Sequence, residues 1–312
     1  MTTENYFAFS DGGEGISLRA RKEAVEKRRD PRQILIPMSN TVDMHTHTWY
    51  SDGALSPADL VRRARERGIT HLSITDHDSI DGLPEARIAG AETGVEIIPG
   101  VELSATLGSK DIHILGYLFD PDNDFLKQTL DLFKRERFTR AARIVRKLNQ
   151  LDLPLSFDSV LERAGHGAIG RPHIAEALVL EGFTSDYVQA FDHYIGDSGP
   201  AYEPKYRIAP EDAVDIIANA GGVSILAHPG WYVTEEELVQ LIRAGLDGIE
   251  TVHPAHDAGR RRFYSGIAST YFLLESGGSD YHGGRRNDDA HFGTQVVSID
   301  VLKAMRRRLF IQ

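Results

Sequence analysis

In Thr41-Val42-Asp43-Met44-His45-Thr46-His47-Thr48, β-forming residues lead into two histidines placed two positions apart. Successive side chains on a strand point to opposite faces, so His45 and His47 project to the same side. Two neutral imidazoles on one rigid face supply half of a transition-metal site, and Asp52 follows in the loop Ser51-Asp52-Gly53. One such pair among 13 histidines in 312 residues carries little by itself, so the remaining ligands must come from elsewhere. The other predicted strands run out at His77, Glu102, His113, His228 and the pair Asp280 and His282. Taken singly, each could be a core histidine with a hydrogen-bond partner or a carboxylate capping a helix. Nine at matching topological positions are hard to explain as coincidence and point to a metal site. With no cysteine in the chain, that site must be built from His, Asp and Glu.

The elements that must position these residues alternate from Thr41 onward. A strand over 41–48 precedes Ser56-Pro57, a helix N-cap with Pro at the first helical position, and that helix stops at Gly68. A strand over 71–75, a helix over 83–93 closed by Gly94, and strands over 95–104 and 111–119 follow. Repeated strand–helix units with short loops predict a parallel α/β sheet or barrel. The period then changes. Phe138, Ala141, Val145 and Leu148 recur at spacings of three and four, the stripe of an amphipathic helix. Further helices are predicted over 157–164, 172–180 and 187–194. Alternation resumes with a helix over 210–220, a strand over 223–227, a helix over 235–244, a strand over 248–252 and a helix over 258–271. A strand over 272–275, another over 295–299 and a helix over 301–309 close the chain. The expected domains are an N-terminal extension over 1–40 with a charged helix from Arg19 to Arg29, an α/β barrel over 41–122 and 206–312, and a helical insertion over 123–205.

A hydrophobic fraction of 41% with 26% charged residues suits a chain that buries a full core. No apolar run approaches the roughly 18–20 residues of a membrane span. The N-terminus has neither the basic nor the apolar segment of a secretory signal, so a cytoplasmic location and no membrane partner are expected. A net charge of −11 argues against an extended nucleic-acid surface. It leaves a small phosphorylated substrate open, because bound cations supply their own local positive charge.

The motifs Asp43-Met44-His45-Thr46-His47 with Ser51-Asp52-Gly53, Thr75-Asp76-His77-Asp78, Pro99-Gly100-Val101-Glu102, the His113 strand, Ala227-His228-Pro229 and Gly278-Ser279-Asp280-Tyr281-His282 run in one order along most of the chain. In that order the chain resembles the PHP (polymerase and histidinol phosphatase) family. The resemblance implies a distorted seven-stranded, TIM-like β/α barrel with a trinuclear site for divalent metals (Mn, Fe or Zn, with Mg admissible). By the same resemblance one metal takes His45, His47, Glu102 and Asp280. A second shares Glu102 and adds His113 and His228, and a third uses Asp52, His77 and His282. The implied reaction is phosphate-ester hydrolysis by a metal-bridging hydroxide, with His77 among the catalytic residues.

The insertion and its Gly170-Arg171-Pro172-His173 motif resemble a stand-alone bacterial subgroup of 3′,5′-nucleotide bisphosphate phosphatases and 5′-to-3′ exoribonucleases acting on short RNA. On that footing Arg171, at a helix start, is expected to hold a phosphate. His256 is expected to contact phosphate, to act as leaving-group acid or only to orient a neighbour, and His253 to pack at a strand end. Where the subgroup often has a basic residue, the turn Gly196-Asp197-Ser198-Gly199-Pro200-Ala201-Tyr202 has none, and Lys205 is the candidate substitute. Where an Arg often follows the His-Pro-Gly turn, this chain has Trp231, whose ring could stack on a base. His71, His166, His193 and His291 are expected to be structural or exposed. The competing expectations are a histidinol-phosphate-type phosphatase, a metal amidohydrolase, and a non-catalytic metal or nucleotide sensor. An amidohydrolase site commonly bridges its metals through a carbamylated lysine, and no lysine stands at a strand end here.

Overall fold

Residues 40–165 and 167–310 are described by the computed structural model, so the expected helix from Arg19 to Arg29 and His166 lie outside the described residues. Eight strands form one nearly closed sheet in the order β7-β6-β5-β4-β3-β2-β1-β8. β1 (Thr41–Asp43), β2 (His71–Ile74) and β3 (Glu96–Leu107) run parallel, as do β5 (Val223–Leu226), β6 (Gly248–Val252) and β7 (Leu274–Gly277). The chain after β1 meets the chain after β7 through Met44 N–H to the Gly277 carbonyl (3.2 Å) and His47 N–H to the Tyr281 carbonyl (2.9 Å). Seven strands thus close on one another. β8 (Val297–Ser298) is a short antiparallel addition to β1.

The sheet is not parallel throughout, as the alternating pattern had predicted. β4 (Lys110–Tyr117) is antiparallel to both β3 and β5. Only Gly108 and Ser109 separate β3 from β4, and Gly108 takes φ 60°. Two residues can reverse a chain into a hairpin but cannot make a parallel crossover.

Helices α1 (Pro57–Glu66) and α2 (Leu83–Thr93) cover the first strands. Ser56 caps α1 by accepting the Asp59 N–H, and Gly94 at φ 77° ends α2. The period-two patterning splits the buried side chains into two sets. Val42, Met44, Ile98, Leu115, Tyr117 and Ile225 pack together with Leu302 and Met305 of α10 (Ile299–Leu309). Leu72, Ile74, Val101, Leu103, Ile114 and Leu226 pack instead in the cluster that takes in Leu60, Val61, Ile216 and Leu241 of the helices.

α3 (Asp124–Gln150), α4 (Phe157–Ala164), α5 (Arg171–Leu180) and α6 (Tyr187–Ala190) follow β4, and Phe191–Ile195 forms a π-helical turn where a continuous helix was predicted. Ala141, Val145, Leu148, Val160, Ile174 and Leu178 form a third cluster. Phe138, placed by its spacing on the buried stripe, is 48% exposed and meets Phe157 edge-on. α7 (Pro210–Asn219), α8 (Glu235–Arg243) and α9 (Ala258–Thr270) complete the helices. The strand predicted over 272–275 is displaced to β7, because exposed Phe272 turns the chain at φ 56°.

Candidate metal centre

β1 is shorter than predicted and ends before its histidines. Alternation persists beyond it because the segment stays hydrogen-bonded on both sides, with Thr75 N–H to the Thr46 carbonyl (2.8 Å) and Asp280 N–H to the His45 carbonyl (2.9 Å). Close approach at this seam requires Gly278, where a Cβ would lie 2.4 Å from the His45 nitrogen. Glu102 and His113 lie within the β3–β4 hairpin, not at strand ends as predicted. β3 outruns its neighbour, so Glu102 stands level with His77, just beyond the end of β2.

The nine predicted ligand residues converge. His45 Nε2 lies 3.5 Å from Glu102 Oε2 and 3.3 Å from Asp280 Oδ1; His47 Nε2 lies 3.3 Å and 3.1 Å from the same two atoms. His113 Nδ1 and His228 Nε2 approach the other oxygen of Glu102 at 2.8 Å and 3.0 Å. His282 Nε2 stands 3.3 Å from Asp52 Oδ1. His77 faces both ways, with Nδ1 3.0 Å from Glu102 Oε2 and Nε2 3.9 Å from Asp52 Oδ2. It therefore stands as much with Glu102 and His113 as with the Asp52 grouping expected for it.

His45 Nε2, His47 Nε2, His77 Nδ1, His282 Nε2, Asp52 Oδ1 and Glu102 Oε2 are buried without a hydrogen-bond partner. An unsatisfied buried polar atom costs about 1–3 kcal/mol, more if charged. Convergent nitrogen and carboxylate lone pairs are what divalent cations satisfy, so this donor set fits metal ions. Burial pushes the His47 imidazole down to about 3. Burial acts the same way on His77, but the carboxylates of Glu102 and Asp52 outweigh it and raise that imidazole to about 9. Burial raises Glu102, and His77, His113 and His45 together pull its carboxyl well below the ordinary range. Asp280 and His228 hold left-handed backbone, at φ 50° and 25°. Such conformations persist only where the surrounding fold imposes them.

Several residues around these ligands escaped the sequence reading. Glu250 accepts from His45 Nδ1 (3.0 Å) and from the His228 backbone N–H (2.7 Å), and is fully buried. Asp43 accepts the backbone N–H groups of His45 (3.2 Å) and Ser279 (3.0 Å), and burial pushes its carboxyl up to about 7. Asp76 gathers the Thr48 N–H, the Thr48 hydroxyl and the Ser51 hydroxyl. The available signal was a carboxylate in the middle of an otherwise apolar strand, as in Gly248-Ile249-Glu250-Thr251-Val252. His253, expected only to pack, approaches Asp280 at 3.4 Å and lines a cavity of about 610 Å³ together with His77, His113, His228, Trp231 and Arg286.

A second cavity of about 300 Å³ lies beside Asp52 and His77, bordered by Arg137, Arg171, His173 and Lys205. Arg171 and Lys205 reach it, each already paired, with Asp197 (2.6 Å) and Asp111 (3.0 Å) respectively. Arg137, missed by the sequence reading, pairs with Asp78. His256 takes the orienting position and not the phosphate-facing one. Its Nε2 accepts the Gly230 N–H (3.1 Å), its Nδ1 donates to the Thr251 carbonyl (3.2 Å), and the residue is 2% exposed. With both nitrogens engaged inside the fold, His256 holds the turn that carries Trp231 and offers nothing to phosphate or a leaving group. Trp231 is 76% exposed at the cavity edge, with the Arg260 guanidinium 3.1 Å from its ring centre. His71, His193 and His291 lie outside the ligand groupings.

The barrel and its histidine–carboxylate cluster define a metal-site α/β protein. The chain belongs to the PHP domain family, whose pattern it matches over residues 43–218. It is 35% identical to a Haemophilus influenzae 5′-3′ exoribonuclease over 78% of this chain and 91% of that protein. It is 33% identical to a Chromobacterium violaceum 3′,5′-nucleoside bisphosphate phosphatase over 77% of this chain and 87% of that protein. Among solved structures, a Bifidobacterium adolescentis chain described as a metal-dependent phosphoesterase superposes with a TM-score of 0.78 at 32% identity, covering 86% of this chain and 96% of that one. A Chromobacterium violaceum chain described as an amidohydrolase, with bound sulfate and no metal, gives 0.69 at 29% identity, covering 82% and 97%. No helix among the described residues is long and apolar enough to cross a membrane.

Proposed function

We propose that the protein is a metal-dependent phosphoesterase acting on a nucleotide. It converts a 3′,5′-bisphosphate to the 5′-monophosphate, or trims a short 5′-phosphorylated oligonucleotide. The observation that carries this reading is the convergence of buried, unpartnered nitrogen and carboxylate atoms beside an open cavity. The relatives named for bisphosphate phosphatase and exoribonuclease activity support the substrate class. The ligand assignment we adopt is His45, His47, Glu102 and Asp280 for one ion, Glu102, His113 and His228 for a second, and Asp52, His77 and His282 for a third. Divalent metals of the Mn, Fe, Zn or Mg type held there would supply Lewis acidity and a low-pKa water for hydrolysis near neutral pH.

The chain's own residues set up that chemistry. Glu102 presents one oxygen to His45 and His47 and the other to His113 and His228, so a single carboxylate ties two groupings together. Glu250 accepts the His45 Nδ1 proton, which leaves Nε2 as the lone pair facing Glu102 and Asp280. Arg171 and Lys205 border the second cavity, where they would meet a remote phosphate, and Trp231 offers a stacking face at the first. No lysine among the described residues lines the cavity that Glu102, His113, His228 and Asp280 border, which disfavours a carbamate-bridged amidohydrolase site.

The test is phosphate release from adenosine 3′,5′-bisphosphate with added Mn²⁺, beside an EDTA-treated sample and His77→Ala. Release that forms AMP and is lost in both controls is expected. A metal-loaded protein that releases none from this substrate, from short 5′-phosphorylated RNA or from histidinol phosphate would refute the phosphoesterase reading.

A further inference from the structure

Gly283-Gly284-Arg285-Arg286-Asn287 follows His282, and none of the motifs read from the sequence covers it. Its backbone is fixed. Gly283, Gly284 and Asn287 take φ 75°, 89° and 55°. The buried Asp288 carboxylate accepts the N–H groups of His282 (2.5 Å) and Gly284 (2.9 Å). From this anchored base Arg286 extends a side chain that is 53% exposed, and its guanidinium reaches two carboxylates. Nη2 is 2.5 Å from Asp52 Oδ2, and Nη1 is 4.0 Å from Asp280 Oδ2. Those two acids belong to different ligand groupings, and Arg286 itself lines the 610 Å³ cavity.

A guanidinium cannot give up its charge in a protein. Lying between two carboxylates, it offsets their negative charge when no cation does. Once Asp52 and Asp280 are committed to divalent ions, the same guanidinium faces a net positive centre. An anion standing in front of that centre then becomes its best partner, and the planar fork of N–H donors matches two oxygens of a phosphate. The other basic groups near the ligands, Arg137, Arg171, Lys205 and Arg285, each have an acidic partner that is not a candidate ligand, and Arg285 meets Asp52 only at its backbone carbonyl. Arg286 alone among these five pairs with the candidate ligand carboxylates themselves.

We propose that Arg286 grips the substrate phosphate, exchanging its hold on Asp52 for the anion when metal is bound. This rests on the phosphoesterase reading above. Its signature is a pair of effects with opposite sign, which a merely structural role would not give. Removing the guanidinium removes a competitor for Asp52, so metal binding tightens. It also removes a charged fork from the anion, so phosphate binding weakens.

The experiment uses the full chain and Arg286→Gln. Calorimetry follows Mn²⁺ binding to EDTA-stripped protein, then inorganic phosphate binding to the Mn²⁺-loaded protein. Mn²⁺ is expected to bind Arg286→Gln several-fold more tightly, and phosphate about 10- to 100-fold more weakly, as for loss of charged hydrogen bonds. Arg286→Lys keeps the charge but not the fork, so it should fall between the two, and it stands in if the Gln variant does not fold. Equal phosphate affinity in wild type and variants would overturn the grip. Weaker phosphate with unchanged or weaker metal binding would overturn the exchange. Wild-type protein that is Mn²⁺-loaded yet binds no phosphate would take down the phosphoesterase reading, and the grip with it.

Discussion

Glu250→Gln isolates what one buried, non-ligating carboxylate does for the centre. Glu250 uses both oxygens as acceptors, one toward His45 Nδ1 at 3.0 Å and one toward the His228 backbone N–H at 2.7 Å. Burial pushes this carboxyl up, but the surrounding histidines, His45 first, outweigh it and hold the group below its ordinary value. Glutamine has the same shape but only one acceptor oxygen. Whichever way the amide turns, its NH₂ faces an N–H donor, so one of the two bonds is lost. A hydrogen bond to a charged group is worth about 1.5–3 kcal/mol, roughly 10- to 150-fold in an equilibrium constant. Loss toward His45 frees the imidazole to change tautomer; loss toward His228 frees the turn that aims its ring. Either route predicts metal affinity about 10- to 100-fold weaker, the usual effect of losing a group that orients a ligating histidine. The assay is a Mn²⁺ binding isotherm on EDTA-stripped protein, with thermal melts of the metal-free forms to separate folding from binding. Affinity within about twofold of wild type, with an intact fold, would refute the orienting role.

Other perturbations test other parts of the structure. His173 Nδ1 accepts the Gly170 N–H at 3.1 Å, and burial pushes its imidazole down to about 4. The unfolded chain takes up a proton near pH 6.5 that the folded chain refuses, so stability is lost as pH falls from about 6.5 toward 4. By pH 5 that loss is about 2 kcal/mol. His173→Gln keeps the cap without the titration, and urea melts at pH 7 and pH 5 should show a smaller drop by about that amount. Trp231→Ala should weaken AMP binding about 5- to 150-fold while leaving p-nitrophenyl phosphate turnover nearly unchanged; equal losses on both would rule out base stacking. Chelation with EDTA should abolish turnover and lower the melting temperature, with Mn²⁺ restoring both, since a ligand bound only by the native state stabilises it. Gly278→Ala would place a Cβ 2.4 Å from the His45 nitrogen and 2.7 Å from Asp43 Oδ1, so melts should show about 1–3 kcal/mol of destabilisation.

The nine converging histidines and carboxylates were legible as a set and not one by one, because each has an ordinary use in a core or a cap and only their common placement where apolar runs end sets them apart. The α/β class and bounds such as 83–93 for α2 and 248–252 for β6 followed from local rules of period, cap and glycine stop. The Gly108-Ser109 reversal was written in the sequence too, but the repeating strand–helix pattern hid it and led to a parallel reading. What only the tertiary structure decided were distances between segments far apart in the chain. His45 meets Glu250 across 205 positions, and Asp52 meets Arg286 across 234. His256 shows the limit from the other side. Its residue type suited phosphate or proton transfer, but the folded chain spends both nitrogens on Gly230 and Thr251. Residue type and spacing fix which atoms are available and which way a strand can aim them. Which of those atoms remain unpaired is settled only when the barrel closes, because a buried polar group takes whatever partner the fold brings within reach.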